Sequence, residues 1–406
     1  MSFWALMIFT FIFFIAPQTF FPALAPLRIA LLTGTFAIMA FLFDRLRHGR
    51  PLPFPQEMQI IACLVALAVV TIPLSYWSGG SLSFLFGTYL KSVAIFWLLG
   101  GVVTTAARLE RLAWALTLMT LPMAVTTLYH FVSGFVTKDD RVVGYVAPLT
   151  TNPNGLALVL SLILPLSLAL FFTAQKTSTR ALLLSVMVLD VMAVVITFSR
   201  AGFLTLGIVM VTYLYRFKRR ERAWALAAIC VLLLACVPLL PSGYLNRLAT
   251  ITDIESDPTG SAQERRSDTL TAVHLALANP IIGAGIGQNI IALNEVRGPT
   301  WRSVHNVYLV YAVDLGVPGL VLFVVLLARC ISATRFVQKR AASVPALRNV
   351  LYLAEALQTT LAAFAVGAFF HTNAYEFHFY YFGGLAVALK NVYATEIAGV
   401  PPVKVA

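Results

Sequence analysis

Apolar runs of about twenty residues, almost free of charge, recur along the whole of this chain, and a helix needs about that many residues to cross a bilayer. Twelve runs can be marked, at roughly 3–22, 27–43, 58–76, 84–106, 112–135, 152–173, 181–198, 201–217, 223–241, 306–328, 350–371 and 376–393. A single helix through 181–217 would be too long for one crossing, so the seventh and eighth runs are read as a tight hairpin turning at Ser199-Arg200-Ala201-Gly202. Charged residues are only 11% of the 406, against ~25% in soluble domains. A compact soluble fold could not cover this much apolar surface with so few charges. Soluble enzymes, disordered tail proteins and fibrous repeats are excluded. Residues 1–406 read as a single integral membrane domain, an all-α polytopic bundle of about twelve helices.

Ala23-Leu24-Ala25 resembles a signal-peptidase site, but no Lys or Arg precedes Arg28, so the basic n-region of a signal peptide is missing and the first run is read as a span. The net charge of +12 would point to nucleic acid in a soluble protein. Here it fits cytoplasmic loops rich in Lys and Arg. Alternate loops hold 19 of the 29 basic residues and the opposite loops hold 10. The richer side is expected to be cytoplasmic, with both termini inside and the long polar stretch 242–304, between the ninth and tenth spans, outside. None of the four cysteines forms a C-x-x-C pair, so neither a zinc site nor a disulfide framework is indicated.

The outer loop carries several patterns. Ser261 and Glu264 form a capping box, opening a helix that should run to about Ala278 and stop at Asn279-Pro280. Arg265 and Arg266 stand in its first turn, where cations oppose the helix dipole. They point to an anion such as a phosphate, unless Glu264 and Asp268 simply neutralise them. Gly283-Ala-Gly285-Ile-Gly287 fails as a dinucleotide fingerprint, because Gln288 holds the third glycine position and no strand precedes it. A tight turn bringing backbone close to the membrane surface or a substrate is the better reading. Asp253, Glu255, Asp257 and Glu264 fit positions of a calcium loop, but Pro258 stands where a turn-making glycine is needed, and a solvated acidic loop is favoured.

Other outward ends are polar as well. Arg141 precedes Asn152-Pro153-Asn154-Gly155; Arg200 sits in the hairpin; Arg302 and His305-Asn306 lead into the tenth span; His371, Glu376 and His378 lie between the last two. Arginines on the side that normally avoids them are hard to explain as interfacial anchors. Within the bilayer, Asp190 and Asp314 could form a proton path or hold helices together by hydrogen bonds, and the second is favoured.

In four places the chain resembles the O-antigen ligase and polymerase superfamily of bacterial membrane glycosyltransferases: Arg141 with Asn152-Pro153-Asn154; Ser199-Arg200-Ala201-Gly202; Arg265 with Asn279-Pro280-Ile-Ile-Gly283-Ala-Gly285; and His305-Asn306-Val-Tyr-Leu309 with Asp314-Leu-Gly316-Val-Pro-Gly319. Thr269 replaces an aromatic residue common four positions after the loop arginine, and Asp314 replaces a common Glu. The resemblance implies a fold of the GT-C type and a metal-independent transfer needing no cofactor. The donor would be a glycan on undecaprenyl diphosphate, and the reaction would lie on the periplasmic face of the inner membrane. A ligase would pass the glycan to a hydroxyl of lipid A–core. A polymerase would pass it to another lipid-linked repeat. By motif position His305 would be the base, and Arg200 and Arg265 would bind the diphosphate, with Arg266 the rival of Arg265. Arg141, Asn154, Arg266, Arg302 and Asn306 would contact substrate. The chemistry needs these types: a base whose pKa lies near working pH, and bidentate donors for phosphate oxygens. Asp139-Asp140 is the one acidic pair near these residues that could hold a metal. From a different class, a secondary transporter is supported by twelve spans, Asp190 and Asp314. It would concentrate polar groups at the midplane of two repeated halves, whereas here they gather at the outer edge.

Overall fold

A computed structural model describes residues 1–137, 141–219 and 260–399. Among these residues the regular structure is entirely helical. The first half contains α1 (Ser2–Ile15), α2 (Ile29–Arg47), α3 (Gln56–Thr71), α4 (Ser78–Phe84), α5 (Leu90–Val102), α6 (Ala106–Val132), α7 (Pro153–Thr173), α8 (Thr177–Ile196) and α9 (Arg200–Arg219). Two loop helices follow, α10 (Ser261–Ala278) and α11 (Asn289–Arg297), and then α12 (Val307–Ala341), α13 (Arg348–Gly367) and α14 (Phe377–Ala398). A π-helical turn, Leu85–Tyr89, joins α4 to α5.

Eight of the described helical stretches are long and apolar enough to cross a membrane: α2, α3 with its 3-10 extension, the composite α4–α5, α6, α7, α8, α12 and α13. The protein is therefore a multi-pass membrane protein. The first run falls short of its expected end at residue 22, because α1 stops at Ala16, whose φ is 50°, and Pro17 and Pro22 start short 3-10 segments. Helices α9 and α14 lie on the eighth and twelfth runs. The ninth run, 223–241, lies outside the described residues.

Charges sort to the two ends of the bundle. His305 and Asn306 precede α12. Arg329, further along that helix, donates to Gln56 Oε1 and lies 3.8 Å from the Glu57 carboxylate, which Lys390 Nζ also approaches to 2.9 Å. Twenty-two residues of helix at ~1.5 Å each cover about 33 Å, close to the ~30 Å hydrocarbon thickness.

The two acids placed within the bilayer both serve structure. Asp190 is 1% exposed and accepts from Thr120 Oγ1 at 3.0 Å, tying α8 to α6. Asp314 is fully buried beside a break in α12 at Gly316, where φ is 67° and ψ −172°. The glycine turn, expected to bring backbone close to the membrane surface or a substrate, packs its backbone on that break. Val317 N–H donates to the Pro280 carbonyl at 2.7 Å, and Ala284 N–H to the Val313 carbonyl at 2.7 Å. A Cβ at Gly283 or at Gly316 would come within 2.6 Å of the facing backbone, so both glycines are required for the approach.

Helix α10 spans the residues expected of it, but its capping box is not formed. Gly260, at φ 67°, is the N-cap and no side chain caps the helix. Glu264 is instead drawn to Arg302. Of the proposed calcium loop only Glu264 lies among the described residues, and its carboxylate is taken by that arginine.

Candidate active site

Three segments far apart in sequence meet at Asn154. Pro153 occupies the first turn of α7, and the Asn152 carboxamide caps it by accepting from Asn154 N–H at 2.9 Å. Asn154 Oδ1 in turn accepts from Arg141 Nη2 at 2.5 Å and from Ser199 Oγ at 2.6 Å. Ser199 Oγ accepts the Gly202 amide at 3.0 Å, fixing the start of α9 and with it Arg200. The residue before the serine, Phe198, has φ 55°. Left-handed backbone at a bulky residue costs of order 1–3 kcal/mol and persists only where surroundings impose it.

Arg200 faces α10 across a cavity of about 490 Å³ that is also lined by Arg265, Arg266, Leu204, Leu270 and Phe369. Three guanidinium groups on one cavity make a strongly cationic wall that suits an anion. Glu264 and Asp268 are engaged by other arginines. Arg302 holds Glu264, and Arg297 holds the nearly buried Asp268. Beyond the cavity the same face of α10 continues in exposed Leu270, Val273 and Leu277.

A second cavity, of about 460 Å³, opens on the other side of α7. Asn152, Asn154, His371, Asn373, Glu376 and His378 line it, together with Lys91 from α5. His371 and His378 are 3% exposed. Glu376 accepts from Asn373 Nδ2 at 2.6 Å and lies 3.4 Å from His378 Nδ1. Tyr375, at φ 64°, makes the sharp turn between them.

His305 lines both cavities. Its Nδ1 is buried and has no hydrogen-bond partner among the described residues. Burial, and next the charge of Arg265, push its pKa down to about 4, against a hydrogen bond with the Ser303 backbone that works to raise it. The imidazole is therefore neutral at neutral pH. Burial and the neighbouring His378 and Arg265 push His371 lower still, to about 3.

His305 is held from behind by a chain that starts at Asp314. The Asp314 carboxylate accepts the Gly287 amide at 3.0 Å, the Asn289 amide at 2.8 Å and the Asn289 side-chain nitrogen at 3.3 Å. Asn289 Oδ1, so oriented, accepts from Ser303 Oγ at 2.8 Å, two residues before His305.

The structure thus brings together Arg200, Arg265, Arg266, His305 and Asn306 on one cavity, and Asn154 and His305 on the other. Arg141 reaches the site through Asn154. Asn306 lines its cavity while capping α12. Arg302 lines neither cavity: it is occupied by Glu264 and, at 3.8 Å, by Asp268. Both acids belong to α10, so Arg302 ties the entrance of α12 to that helix. Sequence reasoning named His371, Glu376 and His378 as polar residues but gave them no part in the site; the cavity wall gives them one. Asn373 and Lys91 were missed, because a single Asn or Lys at a span end is ordinary. Among the described residues no group of three or more His, Cys, Asp or Glu is arranged to hold a metal ion. Asp139 and Asp140 lie outside the described residues.

No curated protein matches the chain. Residues 185–324, about a third of the chain, match the family described as O-antigen ligase. That stretch holds Arg200, Arg265, His305 and Asp314, and across it the chain is similar to the O-antigen ligase family.

Proposed function

We propose that the protein transfers a glycan from a polyprenyl diphosphate to an acceptor hydroxyl, as an O-antigen ligase, at the periplasmic face of the inner membrane. The observation that carries this reading is that His305 stands on the seam between a cavity lined by three arginines and a cavity whose polar wall is mostly asparagines and histidines, with Lys91 and Glu376 at its charged positions. Donor diphosphate suits the first. Acceptor sugar suits the second.

His305, neutral at neutral pH, accepts the proton of the acceptor hydroxyl. The oxygen attacks the anomeric carbon, and the bond from that carbon to the diphosphate oxygen breaks. The electron pair leaves with the diphosphate, whose growing charge Arg200 and Arg265 take up. No step calls for a metal ion. Exposed Leu270, Val273 and Leu277 give the polyprenyl chain an apolar path beside the arginines. Arg265 is favoured over Arg266 because its charge is among the leading ones that act on both His305 and His371. The transporter reading loses its support, since Asp190 and Asp314 are engaged in holding helices and the glycine turn.

The test is transfer in proteoliposomes given lipid-linked donor and glycolipid acceptor, with His305→Gln as the comparison. Equal transfer by both proteins would refute the reading. Deleting the gene separates the two acceptors: core without polymer, with long lipid-linked chains accumulating, marks a ligase, and core bearing one repeat marks a polymerase.

A further inference from the structure

A third cavity, of about 520 Å³, lies between α1, α2 and α5, in the size range of built ligand sites, about 300–1,000 Å³. Its walls are apolar, with Phe9 and Phe13 from α1, Ile38 from α2 and Leu98 from α5. Four polar residues interrupt them: Gln18, Arg28, Thr35 and Lys91. Both cations fall on the side with few Lys and Arg, and neither side chain has an ion-pair or hydrogen-bond partner among the described residues. The Gln18 side-chain oxygen is buried without a partner, a condition that costs stability unless a donor arrives.

The backbone is distorted where it presents both cations. Arg28, the residue before α2, has φ 45°. Lys91 is the second residue of α5, one residue beyond the π-helical turn Leu85–Tyr89, an irregularity that often accompanies functional positions. The groove is also not separate from the site. Phe13, Lys91 and Ile95 line it and the histidine-bearing cavity alike. A molecule whose chain lay in the groove would have its headgroup at Lys91 and its distal sugars facing His305.

We infer that this groove seats the lipid anchor of the acceptor, and that the anchor carries a phosphate read by Arg28 and Lys91. This rests on the transfer reaction proposed above. The apolar walls take an acyl chain. The two unpaired cations match an anionic headgroup, since charge-assisted bonds to phosphate are strong and oriented. The orphan Gln18 oxygen suits a hydroxyl or amide donor, which a sugar headgroup supplies and the phosphate dianion of phosphatidic acid does not.

The test uses the full-length protein in phosphatidylcholine nanodiscs. Two probes are compared: a diacylated glucosamine lipid with one phosphate, and the same lipid dephosphorylated. Wild type should bind the phosphorylated probe tighter by about tenfold or more, the scale of one charge-assisted contact. The double variant Arg28→Gln/Lys91→Gln should lose that preference. Ala30→Trp, which fills the groove from α2, should weaken both probes alike. An undiminished preference in the double variant overturns the assignment, and so does binding undisturbed by Ala30→Trp. Phosphatidic acid is the competitor: displacement of the glycolipid by equal amounts of it would show a seat for bulk anionic lipid and overturn the acceptor role. Arg200→Ala should leave these results unchanged while abolishing binding of polyprenyl diphosphate. Failure of the proposed function therefore appears on a separate arm from failure of the groove.

Discussion

Asn306, and not its neighbour His305, caps helix α12: its side-chain oxygen accepts from Tyr308 N–H at 3.0 Å and from Leu309 N–H at 3.1 Å. A histidine at a span entrance is often there to cap it. Here the capping work is done one residue later, and Nδ1 of His305 is left without a partner in a doubly lined position. The two residues should therefore separate on mutation. Asn306→Ala should lower stability by about 1 kcal/mol, the usual cost of a lost N-cap. His305→Gln should unfold at the wild-type temperature but turn over about 100-fold more slowly or worse, because an amide cannot take a proton at neutral pH. Thermal unfolding and initial transfer rates on the same preparations check both. A His305→Gln protein that transfers at a near-normal rate between pH 6 and 8 would leave the arginines as the sole catalysts.

The pH dependence follows from the same residue. The active form is the neutral imidazole, and in the free protein its pKa is held at about 4 by burial and then by Arg265. Transfer at low substrate should persist at mildly acidic pH and fall only as pH drops through about 4. Bound diphosphate brings negative charge to Arg265 and cancels part of its push. The acid limb at saturating donor should thus lie at higher pH than the limb at low donor. In Arg265→Gln the free-protein limb should also move up. A histidine titration by NMR with and without Arg265 measures this directly, and no movement of the His305 resonance would count against its closeness to the arginine.

Alanine at Arg200 or Arg265 should remove most activity, with protein still present in the membrane. Lysine at either position should restore only part, since an ammonium has no bidentate fork. Arg302→Ala should behave differently. It releases Glu264 and loosens α10, so lower thermal stability should accompany any loss of rate. A dead Arg266→Ala beside an active Arg265→Ala would reverse the choice between the neighbours.

Helix positions were legible because apolar runs and span length are coupled by bilayer thickness. Run 152–173 coincides with α7, whose Asn152-Pro153 start is a local signal. The start of α10 was misread for a physical reason. Ser261 and Glu264 have the spacing of a capping box, but a partner from far along the chain, Arg302, outcompetes the local backbone for the glutamate. The arginines and His305 were legible as chemistry, since basic groups in the loops that carry few of them run against the usual bias. The second cavity was not. It is made where Tyr375 turns the chain so that His371 and His378 face the same space as Asn154, and no periodicity encodes that turn. Asp314 was seen as a buried acid, but its partners come from a glycine turn whose docking on α12 depends on Gly316.

That docking leads to the last prediction. Asp314 accepts from the Gly287 amide and from the amide and side-chain nitrogens of Asn289, and Asn289 in turn accepts from Ser303, two residues before His305. Asp314 lines neither cavity and touches no substrate position, so it acts as a positioning residue. In Asp314→Asn an amide group must face N–H donors that a carboxylate satisfied, and an unsatisfied buried polar group costs about 1–3 kcal/mol. Turnover should fall together with stability, while the affinity for polyprenyl diphosphate stays near wild type, because the three arginines stand on α9 and α10. Ser303→Ala isolates the last link. It removes one hydroxyl and leaves the Asp314–Asn289 bonds intact, so stability should change by under about 1 kcal/mol, and any drop in turnover reflects freedom gained by His305. A purely structural Asp314 would give a normal rate per folded molecule in Asp314→Asn and no effect in Ser303→Ala. A positioning chain instead lowers turnover in both, without raising the donor concentration needed for half-maximal rate, and Ser303→Thr, which keeps the hydroxyl, restores it.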